Sequence, residues 1–337
     1  MWKLNTIPII AILGVFIFLL SSPSNARLIN RLQLPSPLTG PESLAFDSNS
    51  GGPYTGASDG RIFKYAGPNE GFTEFAYTAP NRNKTICDGI TDFSSLQATC
   101  GRPLGLGFNY QTGDLYVADA YQGLVKVPSK GGPATQLVTS AQGTPFRFLS
   151  ALDVDPVTGM VYFTEASSTY QIRDLQTLIT SRDSSGSLLR FDPSTNQTTV
   201  LLKSLSLASG VAVNRDGSFA LVSEFLANRI QRFWLKGPRA NTSELFLQLG
   251  GSPENIKRNS RGEFWIAVNN LLGPPPPPRA PVLPLGVRVS EAGIVIQIAS
   301  LAEGFGTEAA SEVQEINGTL YTGSLRTSYA SIIRPFF

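Results

Sequence analysis

A short strand–turn–strand unit recurs six times along this 337-residue chain. Each copy places two apolar segments around a glycine-containing turn, as in Leu106-Gly-Phe and Leu115-Tyr-Val around Thr112-Gly113. Glycine beside a polar residue between alternating apolar residues indicates a β-hairpin. The six turns are Gly51-Gly52, Thr112-Gly113, Thr158-Gly159, Asp216-Gly217, Arg261-Gly262 and Asn317-Gly318. Their spacing of roughly 45 to 60 residues leaves room for about four strands per unit. The sequence therefore predicts an all-β fold, a six-bladed β-propeller with four-stranded blades.

The two ends of the repeat pattern predict how the ring closes. The sixth unit has a third strand at Ala330-Ser-Ile-Ile and then reaches Phe337. Residues Leu28 to Leu34 precede the first unit and have no partner of their own. We expect this N-terminal strand to complete the sixth blade, which would remove an exposed sheet edge.

Two segments interrupt the repeats. Tyr170 to Thr180 carries apolar residues at helical spacing, which predicts one short helical insertion over a face of the propeller. Pro274 to Pro278 cannot pair as a ladder strand, so we expect an extended connecting loop there.

The N-terminus has the layout of a secretory signal peptide, predicted over residues 1–26, with the propeller over residues 27–337. Lys3 precedes an apolar run of about 14 residues from Ile7 to Leu20, and Ser24-Asn25-Ala26 offers a cleavage site. The run is short for a membrane span, although an uncleaved anchor remains an alternative. No later segment is long and apolar enough to span a membrane, so we expect none after cleavage and a secretory-pathway location.

The cysteine and asparagine patterns agree with that compartment. Cys87 and Cys100 are the only cysteines, and an isolated pair this close favours one disulfide, with two free buried thiols as the alternative. Four sequons are candidate N-glycosylation sites: Asn83, Asn196, Asn241 and Asn317.

The chain contains no histidine, which excludes several chemistries. Ser-His-Asp and Cys-His catalysis, histidine bases and histidine zinc sites are all impossible. The formal net charge of +2 leaves no strong basic field, so we expect no nucleic-acid partner. Acid–base chemistry would fall to carboxylates, lysine or tyrosine.

Four acidic residues recur just after the second strand of a unit: Asp59, Asp119, Glu165 and Glu224. They could form a cation-attracting rim, or each could cap the turn of its own blade. Recurrence in register favours capping. Arg102, beside Cys100, is likewise expected to be structural.

Several phrases, in this order, resemble strictosidine synthase of plant alkaloid metabolism and its homologues. They are Cys100-Gly-Arg-Pro-Leu-Gly, Leu115-Tyr-Val-Ala-Asp-Ala, Val161-Tyr-Phe-Thr-Glu-Ala, Glu224-Phe-Leu, Arg232-Phe-Trp-Leu-Lys-Gly-Pro, Asn255-Ile-Lys-Arg-Asn and Val313-Gln-Glu-Ile-Asn-Gly-Thr-Leu-Tyr-Thr-Gly. The resemblance covers most of the chain after the signal peptide. It implies a six-bladed propeller, the Cys87–Cys100 bridge and a vacuolar or other endomembrane location; the extracellular space remains an alternative.

The resemblance also implies a catalytic position. Strictosidine synthase condenses tryptamine with the aldehyde secologanin, and a carboxylate beside the amine relays the protons. In the family this Glu lies four residues before the Glu of a Gln-Glu-x-x-Gly motif, which here includes Glu315, so the matching residue is Ser311. A neutral hydroxyl cannot replace a carboxylate. Glu312 and Glu308 are the fallback candidates, although strand alternation would point Glu312 to the other face.

The same resemblance places a substrate pocket at Phe148, Ser150, Leu207 and Phe225. Phe225 matches an aromatic pocket position, and Phe148 stands where the family often has Trp.

Related propellers, the lactonases and arylesterases, hold a central Ca²⁺ with Glu and Asn side chains. Glu42 and Asn255 match two such positions, whereas Ser150 and Ser209 stand where those enzymes place Asn. Two matching ligands of four are too few for calcium, which prefers several hard oxygen ligands. We therefore expect no cofactor, with Ca²⁺ as the alternative.

Two classes of function are compatible with these residues. The first is an enzyme, or a former enzyme, that acts on a small molecule in the central pocket, with an esterase or lactonase reaction as a variant. The second is a non-catalytic secreted propeller that binds a ligand or a protein. Ser311 and the absence of histidine make strictosidine synthesis itself doubtful. The oligomeric state is not predicted.

Overall fold

The computed structural model describes residues 23, 24, 26–272 and 281–335. It is the predicted six-bladed β-propeller, in which each blade is an antiparallel meander of four strands. In blade one, a two-residue strand from the second blade's connection, Gly132–Pro133, adds in parallel to the outermost strand. The first strand of every blade lies nearest the axis.

The strands of the first three blades follow the chain. Blade one contains Leu44–Ala45, Tyr54–Gly56, Arg61–Tyr65 and Phe72–Tyr77. Blade two contains Pro103–Phe108, Leu115–Asp119, Gly123–Val127 and Thr135–Val138. Blade three contains Phe148–Val154, Val161–Ser167, Gly186–Asp192 and Gln197–Leu205, and a small hairpin, Ser140–Ala141 with Thr144–Pro145, precedes it.

The last three blades repeat the arrangement. Blade four contains Ala208–Val213, Phe219–Glu224, Arg229–Trp234 and Ser243–Gln248. Blade five contains Ser252–Arg258, Phe264–Leu271, Val282–Val289 and Val295–Ser300. Blade six contains Glu312–Ile316, Thr319–Gly323, Tyr329–Pro335 and, as its outermost strand, Ala26–Gln33.

The N-terminal strand closes the ring, as predicted. Ala26–Gln33 pairs antiparallel with Tyr329–Pro335, with Leu32 opposite Ala330. Leu32 is buried in a cluster that also contains Leu44 and Phe63 of blade one. The strand therefore links the last blade to the first both by backbone hydrogen bonds and by apolar packing.

The hydrophobic core lies between neighbouring blades. Each sheet is covered by the preceding blade on one face and by the following blade on the other, so its strands are apolar on both sides. Between blades four and five, for example, Phe219 packs near Phe264, with ring centroids 6.2 Å apart, in a cluster that includes Ile230 and Ile266. This packing holds the blades radially and leaves only a narrow space at the axis.

In the described residues, four short helices lie in the connections between strands. The predicted insertion is a 3₁₀ turn, Ile172–Asp174, followed by helix Leu175–Ser181. Three further helices were not predicted: Lys84–Cys87, Gln97–Cys100 and Ala302–Phe305. The first two lie in the connection between blades one and two, and the Cys87–Cys100 disulfide joins them.

The residues around the predicted signal cleavage site contact the folded domain. The backbone N–H of Ser24 donates to the carbonyl of Ile298, and that of Ser300 donates to Ser24. Ala26 is the first residue of the closing strand and is buried. Residues 1–22, including the rest of the predicted signal peptide, and the Pro274 to Pro278 loop lie outside the described residues.

Within the described ranges, no helix combines the length and the apolar character needed to cross a bilayer. The four sequon asparagines, Asn83, Asn196, Asn241 and Asn317, are all exposed.

Candidate functional site

A small cavity lies on the propeller axis, on the face where the first strands begin. Its free volume is about 60 Å³, room for a few water molecules. All six blades contribute to it, and the polar lining residues are Glu42, Ser150, Ser209, Glu254 and Ser311. The repeat architecture brings these residues together, although they are separated by as many as 269 positions in the chain.

One wall of the cavity is apolar. Phe148, Leu207 and Phe225 line it together with Leu104 of blade two. The structure thus brings all four sequence-derived pocket residues, Ser150 included, to one cavity. Leu207 adopts a left-handed backbone conformation (φ 57°), and its carbonyl accepts a hydrogen bond from the N–H of Phe225. That turn sets two of the apolar side chains side by side.

The helical insertion covers the cavity. Ile172, Leu175 and Ile179, spaced along one face of the insertion, all line it. Helical periodicity therefore places the insertion's apolar face over the axis, and its polar face outward.

The Ser311 hydroxyl is hydrogen-bonded to the neighbouring blade. Ser311 is buried, and its Oγ donates to the carbonyl of Glu42 at 2.5 Å. The carbonyl of Ser311 accepts from the N–H of Asn255 at 3.0 Å. A Cβ at Gly323 would lie 2.6 Å from the Glu42 carbonyl oxygen, so blades six and one are in close contact here. Position 311 therefore connects blades one, five and six and offers no acid.

Neither fallback acid lies in the cavity. Glu312 is fully buried on the opposite face of its strand, as alternation implied, and its carboxylate accepts from Ser43 Oγ and the Leu44 N–H. Lys257 Nζ lies 3.2 Å from Glu312 Oε2. Glu308 is exposed after helix Ala302–Phe305 and does not line the cavity. These two carboxyls are thus unsuitable replacements for the family's acid.

Glu42 carries the most unusual polar atom in the cavity. Its side chain is 5% exposed, and Oε1 accepts from Asn255 Nδ2 at 2.8 Å. Oε2 is buried and has no hydrogen-bond partner among the described residues. Burial, and then the negative charge of Glu312, raise the pKa of Glu42 to about 8. An isolated carboxylate oxygen in this position is energetically costly without a donor.

Glu254 is a second cavity carboxyl, which sequence reasoning missed. Burial, and then the charge of Glu42, raise its pKa well above the ordinary value. Strict alternation would send Glu254 and Asn255 to opposite faces, and Asn255 was already assigned to the axis. A register shift between Pro253 and Ile256 breaks the alternation, so both residues reach the Glu42 region. No local sequence signal marks such a bulge.

The residues at the four calcium-related positions do not fit a calcium site. Asn255 turns its amide N–H toward Glu42, Ser209 Oγ donates to the Pro253 carbonyl at 3.0 Å, and Ser150 Oγ donates to the Ser209 carbonyl at 3.5 Å. These groups bind one another instead of pointing oxygens to a common centre, whereas Ca²⁺ requires six to eight oxygen ligands. Within the described part of the chain, no group of three or more Asp, Glu, Cys or His could hold a metal.

The recurring acids are structural caps. Asp119 accepts from the N–H groups of Arg102, Tyr121 and Gln122, and Glu224 accepts from the N–H of Ser206 and from Arg229. Asp59 and Glu165 likewise accept backbone N–H groups near their own blades. All four are buried, so they do not form an exposed acidic rim.

Arg102 also has a structural environment. It is fully buried, with Nε 2.6 Å from Asp92 Oδ1, and its other nitrogens donate to the carbonyls of Gly40 and Pro103. These bonds tie the connection that carries the disulfide to the segment before the first strand of blade one and to the first strand of blade two.

The fold and this site define a six-bladed β-propeller with a small, partly acidic cavity on its axis. Family models for strictosidine synthase and for the strictosidine synthase-like N-terminal region match residues 150–238 and 24–65. Strictosidine synthase-like protein 11 of Arabidopsis thaliana is 44% identical over 307 residues, covering 90% of this chain and 91% of the relative. Strictosidine synthase of Catharanthus roseus is 39% identical over 308 residues, covering 91% and 86%. The chain belongs to the strictosidine synthase-like family.

More distant solved structures share the fold alone. Regucalcin, a calcium-binding protein from Agrobacterium tumefaciens, superposes with a TM-score of 0.64 at 13% identity, covering 94% of this chain and 98% of that one. A gluconolactonase from Xanthomonas campestris gives a TM-score of 0.58 at 13% identity, covering 92% and 94%.

Proposed function

We propose that this protein binds a small organic molecule in its axial cavity and does not catalyse strictosidine synthesis. The proposal that the protein binds a small molecule is supported by the cavity itself, which has Phe148, Leu207 and Phe225 on one side and polar groups on the other. Concave sites with apolar walls and a few convergent polar groups are typical of small-molecule binding.

The second half of the proposal rests on Ser311. Its hydroxyl has no useful acidity, and it already donates to the Glu42 carbonyl. Glu312 is held by Lys257, Ser43 and Leu44 outside the cavity. General acid–base catalysis contributes roughly 10²–10⁴-fold, so loss of the positioned acid should leave condensation near the uncatalysed rate.

A direct assay tests the catalytic half. Purified protein is incubated with tryptamine and secologanin, with the Catharanthus enzyme as a positive control, and strictosidine is quantified by mass spectrometry. We expect no product above the protein-free rate. Robust condensation by the unmodified protein would overturn this half of the proposal.

A cavity-filling variant tests the binding half. Leu207→Trp should fill much of the free volume and abolish ligand binding, whereas Val157→Trp adds the same side chain at an exposed position, 69% accessible, and should not. Equal binding by both variants, measured by calorimetry, would show that the ligand lies elsewhere.

We also propose that the protein enters the secretory pathway, with the vacuole or the extracellular space as its destination. The disulfide and the four exposed sequons support this location, because cytosolic thiols are normally kept reduced. A fluorescent fusion that stays in the cytosol would contradict the proposal.

A further inference from the structure

We propose that Asn317 is the site of two competing covalent modifications: N-glycosylation of its side-chain amide and, where no glycan is attached, deamidation through the backbone nitrogen of Gly318. The site lies in a turn of blade six, outside the axial cavity, and does not depend on the ligand of that cavity. The glycosylation part rests on the proposed secretory location, whereas the deamidation part rests on the geometry of the turn.

Asn317 and Gly318 form the two-residue turn between the first two strands of blade six. Ile316 pairs with Thr319 and closes the turn. Both turn residues have left-handed backbones, with φ of 50° and 76°, as the tightest Asn-Gly hairpin turns require. Asn317 is exposed, and its side-chain amide has no hydrogen-bond partner among the described residues. Its amide is therefore open to a glycan and to chemical attack alike.

The backbone nitrogen of Gly318 is the nearest nucleophile to that amide along the chain. Its N–H donates to no acceptor in the described part of the protein. Beyond its chain neighbours, no atom lies within 4 Å of the position that a Cβ at Gly318 would occupy. Glycine also has no side chain of its own that would screen its nitrogen. The nitrogen is thus neither held by a hydrogen bond nor shielded by packing.

Deamidation at this turn needs no reactant other than water. The Gly318 nitrogen forms a bond to Cγ of Asn317, which closes a five-membered succinimide ring. The bond from Cγ to Nδ2 breaks, and Nδ2 leaves as ammonia with the proton that the Gly318 nitrogen gives up. Water then opens the ring at either carbonyl and leaves aspartate or isoaspartate. A glycan on Nδ2 blocks the first step, because the bulky sugar crowds Cγ and replaces ammonia as the leaving group.

Two other sequons differ from this one mainly in the residue that follows the asparagine. Asn196 and Asn241 are also exposed turn residues, with φ of 56° and 64°. They precede Gln197 and Thr242, and the Thr242 N–H donates to a backbone carbonyl at 3.1 Å. Asn317 is the only asparagine in the sequence that precedes a glycine. Exposure and backbone conformation are matched at the three sites, whereas the attacking nitrogen is not.

Deamidation would disturb a contact between blades five and six. Isoaspartate adds one methylene to the backbone of a turn that contains only two residues. The new carboxylate would also lie two positions from Glu315, which accepts from Arg261 Nη2 at 2.9 Å and from Trp265 Nε1 at 2.7 Å. Both donors belong to blade five. A glycan on Asn317 would therefore preserve the turn that holds Glu315 in this contact.

The experiment follows the peptide that contains Asn317 by mass spectrometry. Thr319→Ala removes the sequon but keeps Asn317 and Gly318, whereas Thr319→Ser keeps the sequon. Both variants and the unmodified protein are secreted from a glycosylating host and incubated for several days in mildly alkaline buffer. We expect the Thr319→Ala peptide to lose its original mass and to gain the small increase that replacement of NH₂ by OH produces. The unmodified protein and Thr319→Ser should keep their glycan and show no conversion.

The other two turns provide matched controls. Thr198→Ala and Ser243→Ala leave Asn196 and Asn241 without a glycan but with a residue other than glycine after them. Those asparagines should remain unconverted under the same conditions. Conversion at these two positions as fast as at Asn317 would overturn the role assigned to the following glycine.

The remaining outcomes separate the two parts of the proposal. An unchanged Asn317 peptide in Thr319→Ala would overturn deamidation. Equal conversion of Asn317 in Thr319→Ala and in the unmodified secreted protein would overturn protection by a glycan and leave deamidation in place. Melting temperatures of the fresh proteins show that conversion occurs in folded molecules. Should Thr319→Ala fail to fold, unmodified protein from a bacterial periplasm, which attaches no glycan here, provides the same test. None of these results bears on ligand binding in the cavity.

Discussion

Equivalent residues of different blades have different chemistry in this propeller. Glu165 and Glu224 both follow the second strand of their blade, and both are buried. Burial raises the pKa of Glu165 to about 7, opposed by a single N–H from Arg147. Burial also acts on Glu224, but hydrogen bonds from Arg229, Gln231 and Ser206 outweigh it and hold that pKa below its ordinary value. The repeat sets the position of each acid, and its neighbours set its charge.

This difference predicts opposite pH effects on stability. In the folded protein Glu165 keeps its proton up to a pH of about 7, whereas in the unfolded chain it releases the proton near pH 4.5. The contribution of Glu165 to the unfolding free energy is therefore favourable at low pH and is lost as the pH rises through about 7. Glu165→Gln should therefore match the unmodified protein at pH 4 and exceed its unfolding free energy at pH 8 by up to about 3 kcal/mol.

Glu224→Gln is the matched control. It removes a carboxylate that Arg229 and Gln231 hold ionised, so it should lower stability at pH 8 by about 1–3 kcal/mol. That deficit should shrink as pH falls and the native carboxylate is protonated. Urea unfolding at several pH values measures the stability of both variants. Parallel pH profiles of unfolding free energy for the two variants would contradict the opposite pKa shifts of Glu165 and Glu224.

Ser311 leads to a further prediction at the residue scale. Restoring the family's acid with Ser311→Glu should not restore condensation, because the new carboxylate would lie near Glu42 and Glu254 and would lose the bond to the Glu42 carbonyl. Like-charge crowding and burial should also lower the unfolding free energy by about 2 kcal/mol or more. Strictosidine formation above the protein-free rate, from a variant with an unchanged melting temperature, would refute this.

At the scale of elements, the ring depends on its closing strand. Leu32 is 2% exposed and packs with residues of blades one and six, whereas Ile29 on the same strand is 48% exposed. Leu32→Ala should therefore destabilise the protein by about 2–5 kcal/mol, while Ile29→Ala should stay within about 0.5 kcal/mol. Chemical unfolding measures both variants. Similar losses of unfolding free energy for Leu32→Ala and Ile29→Ala would mean that packing of the strand against blade one does not stabilise the ring.

The inner strands also show how an element departs from regular alternation. The first strands of blades two to five each contain a register shift near the cavity. In blade five the shift brings Glu254 and Asn255 to the same region. A Cβ at Gly210 of blade four would collide with the Glu254 carbonyl oxygen, so this neighbouring glycine permits the bulged backbone. The place of Glu254 in the cavity thus depends on two adjacent blades, four and five.

For the whole molecule, the exposed sequons predict glycosylation in a secretory host. Asn196, Asn241 and Asn317 have left-handed backbones, with φ of 56°, 64° and 50°, which asparagine tolerates better than most residues. Removal of the sequon by substituting its third residue therefore disturbs the fold less than replacing the asparagine. Treatment with an N-glycosidase should shift the mobility of the secreted protein, and Thr85→Ala, Thr198→Ala, Ser243→Ala and Thr319→Ala combined should remove the shift. An unglycosylated secreted protein would contradict the expectation.

The sequence by itself determined the number of blades, the hairpin turns, the closing strand and the covering insertion. These features depend on local periodicity and turn chemistry, which repeat in every unit, as at Asp216-Gly217 and Asn317-Gly318. The cysteine pair could also be assigned, because only one pairing exists.

Only the tertiary structure decided the character of the site. Glu254 reaches the cavity through a β-bulge. Ser311 donates a hydrogen bond to a carbonyl 269 residues away in the sequence. One carboxylate oxygen of Glu42 has a hydrogen-bond partner among the described residues and the other has none. Each of these properties depends on atoms supplied by another blade. Local sequence patterns describe a strand's own faces, whereas the burial, hydrogen bonding and charge of a residue at the axis are set by what the other five blades place beside it.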